Sequence, residues 1–123
     1  MKKVYFKFKE LIVRQKALEF ADQVIQITEN LNTDRKHFRL IEQLESSSTS
    51  IAQDISEGKG RYSKKECVQY LYISRASFDE TVTLLNLFQR RNWISIELLE
   101  QLEEKAFEIA NMIKGLINSI NNK

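Results

Sequence analysis

The sequence contains no proline, three glycines, one cysteine and one histidine among its 123 residues. Because proline and glycine are the residues that most often bend or end helices, little in this chain opposes helix formation. The single cysteine, Cys67, cannot form a disulfide within one chain, which fits a reducing compartment, and we expect a cytoplasmic location. Cys67 and His37 are also too few for a conventional zinc site or a Cys-His catalytic pair.

The composition gives little support to membrane or enzyme classes. Mean hydropathy is -0.41, and no apolar run approaches the roughly 20 residues of a membrane helix. Lys7, Lys9 and Glu10 interrupt the apolar segment that a signal peptide would need. Gly58 and Gly60 lack the rest of a phosphate-binding loop and are better explained as a turn. We therefore expect no enzymatic activity, no cofactor, no metal, no membrane contact and no small-molecule substrate.

Apolar periodicity predicts two helices in the first half of a single domain spanning residues 1–123. Apolar side chains recur at steps of three and four from Val13 to Leu31, as on one face of a helix. Thr33 or Asp34 is expected to cap a second helix. That helix should end at Gly58, where glycine can adopt a positive φ angle.

Capping residues place two further helices. Ser63 and Glu66 match a capping box, so a third helix should begin there and run to about Arg90. Ser95 is the predicted N-cap of a fourth helix, whose apolar residues repeat with a 3.5-residue period. Helices of this length joined by short turns predict an all-α, antiparallel up-down-up-down four-helix bundle. A long hairpin of two or three helices is the alternative if a turn continues as helix.

Three segments carry a resemblance to a known family. Residues 8–17 are similar to an F-x-x-L-x-V-W-x-K-A opening, and residues 38–44 and 50–58 to F-x-L-x-x-Q-[LM] and S-I-P-x-N-I-A-E-G. Residues 70–80 resemble F-L-x-x-A-x-G-S-x-x-E. Together they resemble the four-helix-bundle proteins encoded by intervening sequences in bacterial 23S ribosomal RNA genes, and their stand-alone relatives.

The resemblance implies a four-helix bundle that assembles as a ring-like homopentamer, without established enzymatic activity. Relatives include the accessory protein of diversity-generating retroelements, which looks like a nucleic-acid-binding partner of a reverse transcriptase. The chain departs from the family pattern where Glu45 and Ser46 replace an arginine pair, and where Ala52, Asp54 and Ala76 replace proline, asparagine and glycine.

A basic end follows from the bundle topology, which brings the amino terminus, the second turn and the carboxyl terminus together. Helix four instead begins with four glutamates, which would lie at the other end. Lysine and arginine side chains gathered in this way can bind phosphates in a salt-dependent manner, although solvated surface charge is the simpler interpretation. We define the basic end, a candidate RNA-binding surface, as Lys7, Lys59, Arg61, Lys64 and Lys65.

The second turn also contains a candidate structural cluster. Glu57 lies in the last turn of helix two, where the helix dipole disfavours a carboxylate unless a nearby donor or cation compensates. A structural role is favoured over a catalytic carboxylate. We define this turn cluster as Asp54, Glu57, Gly58, Ser63 and Glu66.

Other features have competing interpretations. The run of small hydroxyl residues 46–50 either lets helices approach closely or binds a ligand. Tyr62, Tyr70, Tyr72 and Trp93 either pack in the core and at subunit contacts or stack on bases.

Helix three is apolar on two sides, whereas a single bundle buries only one side well. We therefore predict a homo-oligomer, and the resemblance makes a pentamer the favoured form. The predicted oligomer contact consists of Ile73, Leu84, Leu87 and Phe88.

These observations favour a non-enzymatic oligomeric scaffold that contacts structured RNA or a ribonucleoprotein. One alternative is a protein-interaction module without affinity for nucleic acid. Another is an accessory subunit of a separately encoded nucleic-acid enzyme.

Overall fold

Four helices form the fold in a computed structural model, which describes the backbone of residues 2–61 and 63–122 and the side chains of residues 12–61 and 63–122. Each helix packs against two neighbours in the order α1–α2–α3–α4, and within the described residues the backbones of diagonally opposite helices do not approach each other closely. This arrangement confirms the antiparallel up-down-up-down four-helix bundle. The helices are α1 (Lys2–Glu29), α2 (Phe38–Lys59), α3 (Lys64–Arg90) and α4 (Ile96–Asn121).

Apolar side chains from all four helices fill the space between them. Phe20 of α1 and Phe78 of α3 meet with ring centroids 6.0 Å apart. The predicted 3.5-residue stripe of α4 is buried from Leu99 to Ile120. None of the described helices combines the length and the apolar character needed to cross a bilayer.

Serine side chains start α3 and α4 at the predicted positions. The Ser63 hydroxyl accepts a hydrogen bond from the Glu66 amide at 3.1 Å. The Ser95 hydroxyl accepts one from the Leu98 amide, also at 3.1 Å. Each cap satisfies a backbone donor that has no partner within the helix, so local sequence alone was sufficient to locate both starts.

The predicted start of α2 is wrong. Neither Thr33 nor Asp34 caps this helix, since the Thr33 hydroxyl instead donates to the Lys36 carbonyl at 2.7 Å within the turn. The N-cap is His37, which has a φ of 65° and makes no side-chain capping hydrogen bond. Its ring lies 4.9 Å from that of Trp93, so a contact between distant parts of the chain accompanies this helix start.

The prediction of a positive φ at Gly58 is also wrong, because no described glycine has one and α2 continues to Lys59. Gly58 is buried against the start of α3. A Cβ atom at this position would lie 3.1 Å from the Cys67 carbonyl oxygen and 3.2 Å from the Tyr70 Cβ. Glycine therefore permits close approach of two helices here and is not required for an unusual backbone conformation.

Small hydroxyl residues line the contact between α2 and α3. The Thr81 hydroxyl lies 2.8 Å from the Ser47 hydroxyl, and the Ser74 hydroxyl donates to the Ile51 carbonyl at 2.8 Å. These bonds satisfy polar groups that are shielded from water. The arrangement agrees with the close-approach interpretation of the serine run. We call this set the hydroxyl seam; it consists of Ser47, Ser74 and Thr81, all buried.

Candidate nucleic-acid interface

Four cations of the predicted basic end lie together around the connection between α2 and α3. Lys59 is the last residue of α2, Arg61 lies in the connection, and Lys64 and Lys65 open α3. All four are exposed. The side chain of Lys7, the fifth member, lies outside the described residues. The topology places the α1 start and the α4 end at the same end of the bundle as this connection.

Arg61 is held in place by two neighbours. Its guanidinium pairs with the Glu57 carboxylate at 3.1 Å and donates to the Tyr70 hydroxyl at 2.9 Å. The guanidinium carbon also lies 4.8 Å from the centre of the Tyr70 ring, within the range of a cation–π contact. Arg61 thus links the end of α2 to the first turns of α3.

The predicted turn cluster is assembled around the same connection. Glu57 is paired with Arg61, Ser63 caps α3 at the Glu66 amide, and Gly58 contacts α3 directly. Partial burial and, to a smaller extent, the nearby Glu57 carboxylate raise the pKa of Asp54. Through Arg61 and Gly58, the cluster connects the end of α2 to the start of α3.

The predicted oligomer contact is wrong for two of its four residues. Leu84 and Phe88 belong to the core of their own bundle, and Phe88 is completely buried. They cannot touch another subunit without unfolding. Ile73 and Leu87 are 44% and 38% exposed, so they lie on the accessible side of α3.

Sequence reasoning missed the exposed Phe107 of α4 and left Tyr72 of α3 with several interpretations. Tyr72 and Phe107 are 53% and 62% exposed, and both line a groove between α3 and α4. Phe107 was recognisable in the sequence because it falls outside the apolar stripe of α4. The chain therefore presents an apolar surface on this side, although not the set of residues that was predicted.

The single histidine and the single cysteine lie at opposite ends of the bundle. His37 contacts Trp93 at the end where α1 joins α2, whereas Cys67 lies beside Gly58 in the first turn of α3. Within the described part of the chain, no group of three or more His, Cys, Asp or Glu side chains is arranged to hold a metal ion.

Comparisons with known proteins agree with this fold. Comparison with curated proteins gives no match. A crystal structure of a protein with unknown function from the S23 ribosomal protein family of Bacteroides thetaiotaomicron is 28% identical to this chain and superposes with a TM-score of 0.82. The match covers 89% of this chain and 98% of that one. The family model described as 23S rRNA-intervening sequence protein matches residues 9–115. The chain therefore belongs to the 23S rRNA-intervening sequence protein family.

Proposed function

We propose that this protein is a cytoplasmic, non-enzymatic, oligomeric scaffold that contacts structured RNA or a ribonucleoprotein through its basic end. The observation that carries the proposal is the grouping of exposed Lys59, Arg61, Lys64 and Lys65 around one short connection. The association of the family with a ribosomal RNA gene supports RNA as the ligand.

The basic end combines one oriented cation with several mobile ones. Glu57 and Tyr70 fix the Arg61 guanidinium, whereas lysine side chains adjust to the spacing of phosphates. Phosphate contacts of this kind release counterions and depend little on base sequence. Oligomerisation would repeat the surface and increase avidity for an extended RNA.

The absence of enzymatic activity is part of the proposal and rests on the inventory of reactive side chains. His37 and Cys67 are the only histidine and cysteine in the chain, and the fold separates them. A Cys-His nucleophilic pair therefore cannot form within one subunit.

The oligomeric part of the proposal rests on the exposed apolar side of α3 and α4. Leu87→Glu should weaken assembly, because it places a charge on an accessible apolar position. Phe88→Glu should instead unfold the chain, because Phe88 is fully buried and an unpaired charge is costly in a core. Light scattering reports the loss of assembly expected for Leu87→Glu, and circular dichroism reports the loss of helix expected for Phe88→Glu. A species near 14.5 kDa for the wild type at micromolar concentration would contradict the proposed scaffold.

The RNA-binding part is tested by replacing Arg61, Lys64 and Lys65 together with glutamine. Affinity for a structured RNA hairpin should fall, and the dependence of log K on log salt should flatten by about 2 to 3, since up to three phosphate contacts are lost. Arg75→Gln with Lys105→Gln provides a control away from both ends of the bundle. Equal hairpin affinity for the triple variant and the wild type at low salt, with assembly intact, would exclude this surface.

That negative result would favour the second candidate function, a protein-interaction module. The specific observation behind it is the groove between α3 and α4, which exposes Tyr72 and Phe107. Phe107→Glu, in the groove, would then reduce partner binding, while replacing the cations of the basic end would have no effect.

A further inference from the structure

The two connections at the end opposite the basic end are in direct contact. His37, between α1 and α2, lies 4.9 Å from Trp93, between α3 and α4, measured between ring centroids. The Trp93 ring also meets the Phe88 ring of the core in an edge-to-face arrangement, with ring centroids 5.0 Å apart. The Arg91 guanidinium carbon lies 5.9 Å from the centre of the Trp93 ring. Trp93 therefore links the two connections, because it contacts His37 on one and Arg91 on the other.

The two connections at this end and the residues beside them carry a group of basic side chains. Residues 30–40 and 90–97 contain five lysine and arginine side chains and two carboxylates, Asp34 and Glu97, and three further carboxylates, Glu29, Glu42 and Glu100, lie within one helical turn of these segments. All five cations are exposed. The ion pairs among the described side chains are Lys16–Glu108 and Arg61–Glu57, so none of the five takes part in one. The cations are Arg35, Lys36, Arg39, Arg90 and Arg91.

An exposed aromatic ring lies among these charges. Phe38 is the first residue of α2 and is 63% exposed. Its neighbours His37 and Arg39 are also exposed. Arg35, Lys36 and Arg39 lie within three sequence positions of this ring. An accessible ring with cations close by is the combination by which proteins bind single strands, with the ring against a base and the cations against phosphates. We call Arg35, Lys36, Phe38, Arg39, Arg90 and Arg91 the far-end surface.

The backbone of these connections is unusual in the same region. Every non-glycine residue with positive φ in the described chain lies there: Asp34 at 53°, Arg35 at 60°, His37 at 65° and Asn92 at 61°. Glycine adopts this conformation with less strain than any residue with a Cβ atom. Asparagine, aspartate and histidine tolerate this conformation better than most residues with a Cβ atom, so Arg35 is the unusual one of the four.

We propose that the far-end surface binds a short segment of single-stranded nucleic acid. Its arginines contact phosphates and Phe38 stacks on one base. A duplex hides the faces of its bases, so the surface discriminates between single and double strands through Phe38. The inference concerns the opposite end from the basic end and does not rest on the proposed function.

Stacking is tested with a fluorescein-labelled oligouridine of roughly 12 nucleotides, a length within the usual range of single-strand binding sites. Anisotropy titrations should show Phe38→Ala weakening binding by about fivefold or more. Leu18→Ala is the control, because Leu18 is also an exposed apolar residue, 48% accessible, and lies on α1 outside both the far-end surface and the groove between α3 and α4. It should bind like the wild type. Equal affinity for Phe38→Ala and Leu18→Ala would overturn the proposal.

The charges are tested by replacing Arg39, Arg90 and Arg91 together with glutamine. The salt slope of oligouridine binding should flatten by about 2, since three contacts to a single strand are removed. The triple variant at Arg61, Lys64 and Lys65 removes the same charge from the other end and should lose less oligouridine affinity.

Equal losses in the two triple variants would mean that net charge alone is responsible and would overturn the proposal. Failure of the wild type to bind oligouridine at low salt would also overturn the proposal. The far-end surface would then be a candidate binding site for an acidic protein segment. Circular dichroism and light scattering establish that each variant keeps its helices and its assembly. Because the variant at Arg61, Lys64 and Lys65 reports on the basic end and Phe38→Ala reports on the far-end surface, the two proposals can fail separately.

Discussion

Adding a methyl group at Gly58 tests the close packing of α2 against α3. Gly58 is helical and has no positive φ, so alanine should be favoured there by about 1 kcal/mol of helix propensity. The new Cβ would, however, lie 3.1 Å from the Cys67 carbonyl oxygen and 3.2 Å from the Tyr70 Cβ. Both atoms belong to or adjoin the α3 backbone and cannot move aside as the end of a flexible side chain does.

The two effects can be compared in magnitude. Overpacking of this kind costs about 1 to 3 kcal/mol, so the net change in unfolding free energy for Gly58→Ala should be a loss of about 0 to 2 kcal/mol. Gly58→Val adds two further methyl groups and should destabilise the chain more.

Gly115→Ala provides the reference. Gly115 is also helical, but a Cβ atom there would meet nothing within 4 Å. Alanine should therefore stabilise the chain by about 1 kcal/mol through propensity alone, which corresponds to a rise of about 3 to 5 °C in melting temperature.

Urea titrations followed by circular dichroism, at one protein concentration for all variants, give the required free energies. The informative quantity is the difference between the two alanine variants, expected to be at least 1 kcal/mol. If Gly58→Ala stabilised the protein as much as Gly115→Ala does, α2 and α3 would not be in close contact at this point, and the reasoning would fail.

Two further predictions concern polar groups. Thr81→Val keeps the shape of the side chain but removes the hydroxyl beside Ser47, so it should lower the unfolding free energy by about 1 to 2 kcal/mol in urea titrations; no change would mean that the bond contributes nothing. Asp54→Asn should raise stability at pH 7, because burial and Glu57 raise the pKa of the folded carboxyl and thus favour its protonated form. The gain should vanish as the pH falls below the unfolded pKa of about 3.9, and a gain that persists at low pH would contradict this cause.

The helices themselves were predictable because their determinants are local. Ser63 and Ser95 bond to amides three residues away, so the start of α3 and that of α4 could be read directly from the sequence. The start of α2 could not, since His37 adopts a left-handed conformation beside Trp93, more than fifty residues along the chain. Only the assembled bundle brings these two rings together.

The candidate sites were predictable where neighbouring residues form them. The four described cations of the basic end lie within one short segment, residues 59–65, so their positions in the sequence were enough to group them. Apolar periodicity did not reveal which side of α3 faces the core, and Phe88 was therefore assigned to the wrong surface. The cations of the far-end surface come from two segments that lie far apart in the sequence, and no local pattern connects them.

The close contact between α2 and α3 also bears on the order in which the chain folds. Only residues 60–63 separate these helices, so little loop entropy is lost when they meet. By contrast, the ion pair of Lys16 with Glu108 joins α1 to α4 across 92 positions of sequence. We expect the α2–α3 hairpin to form early, so substitutions in the hydroxyl seam should slow folding, whereas those between α1 and α4 should mainly accelerate unfolding.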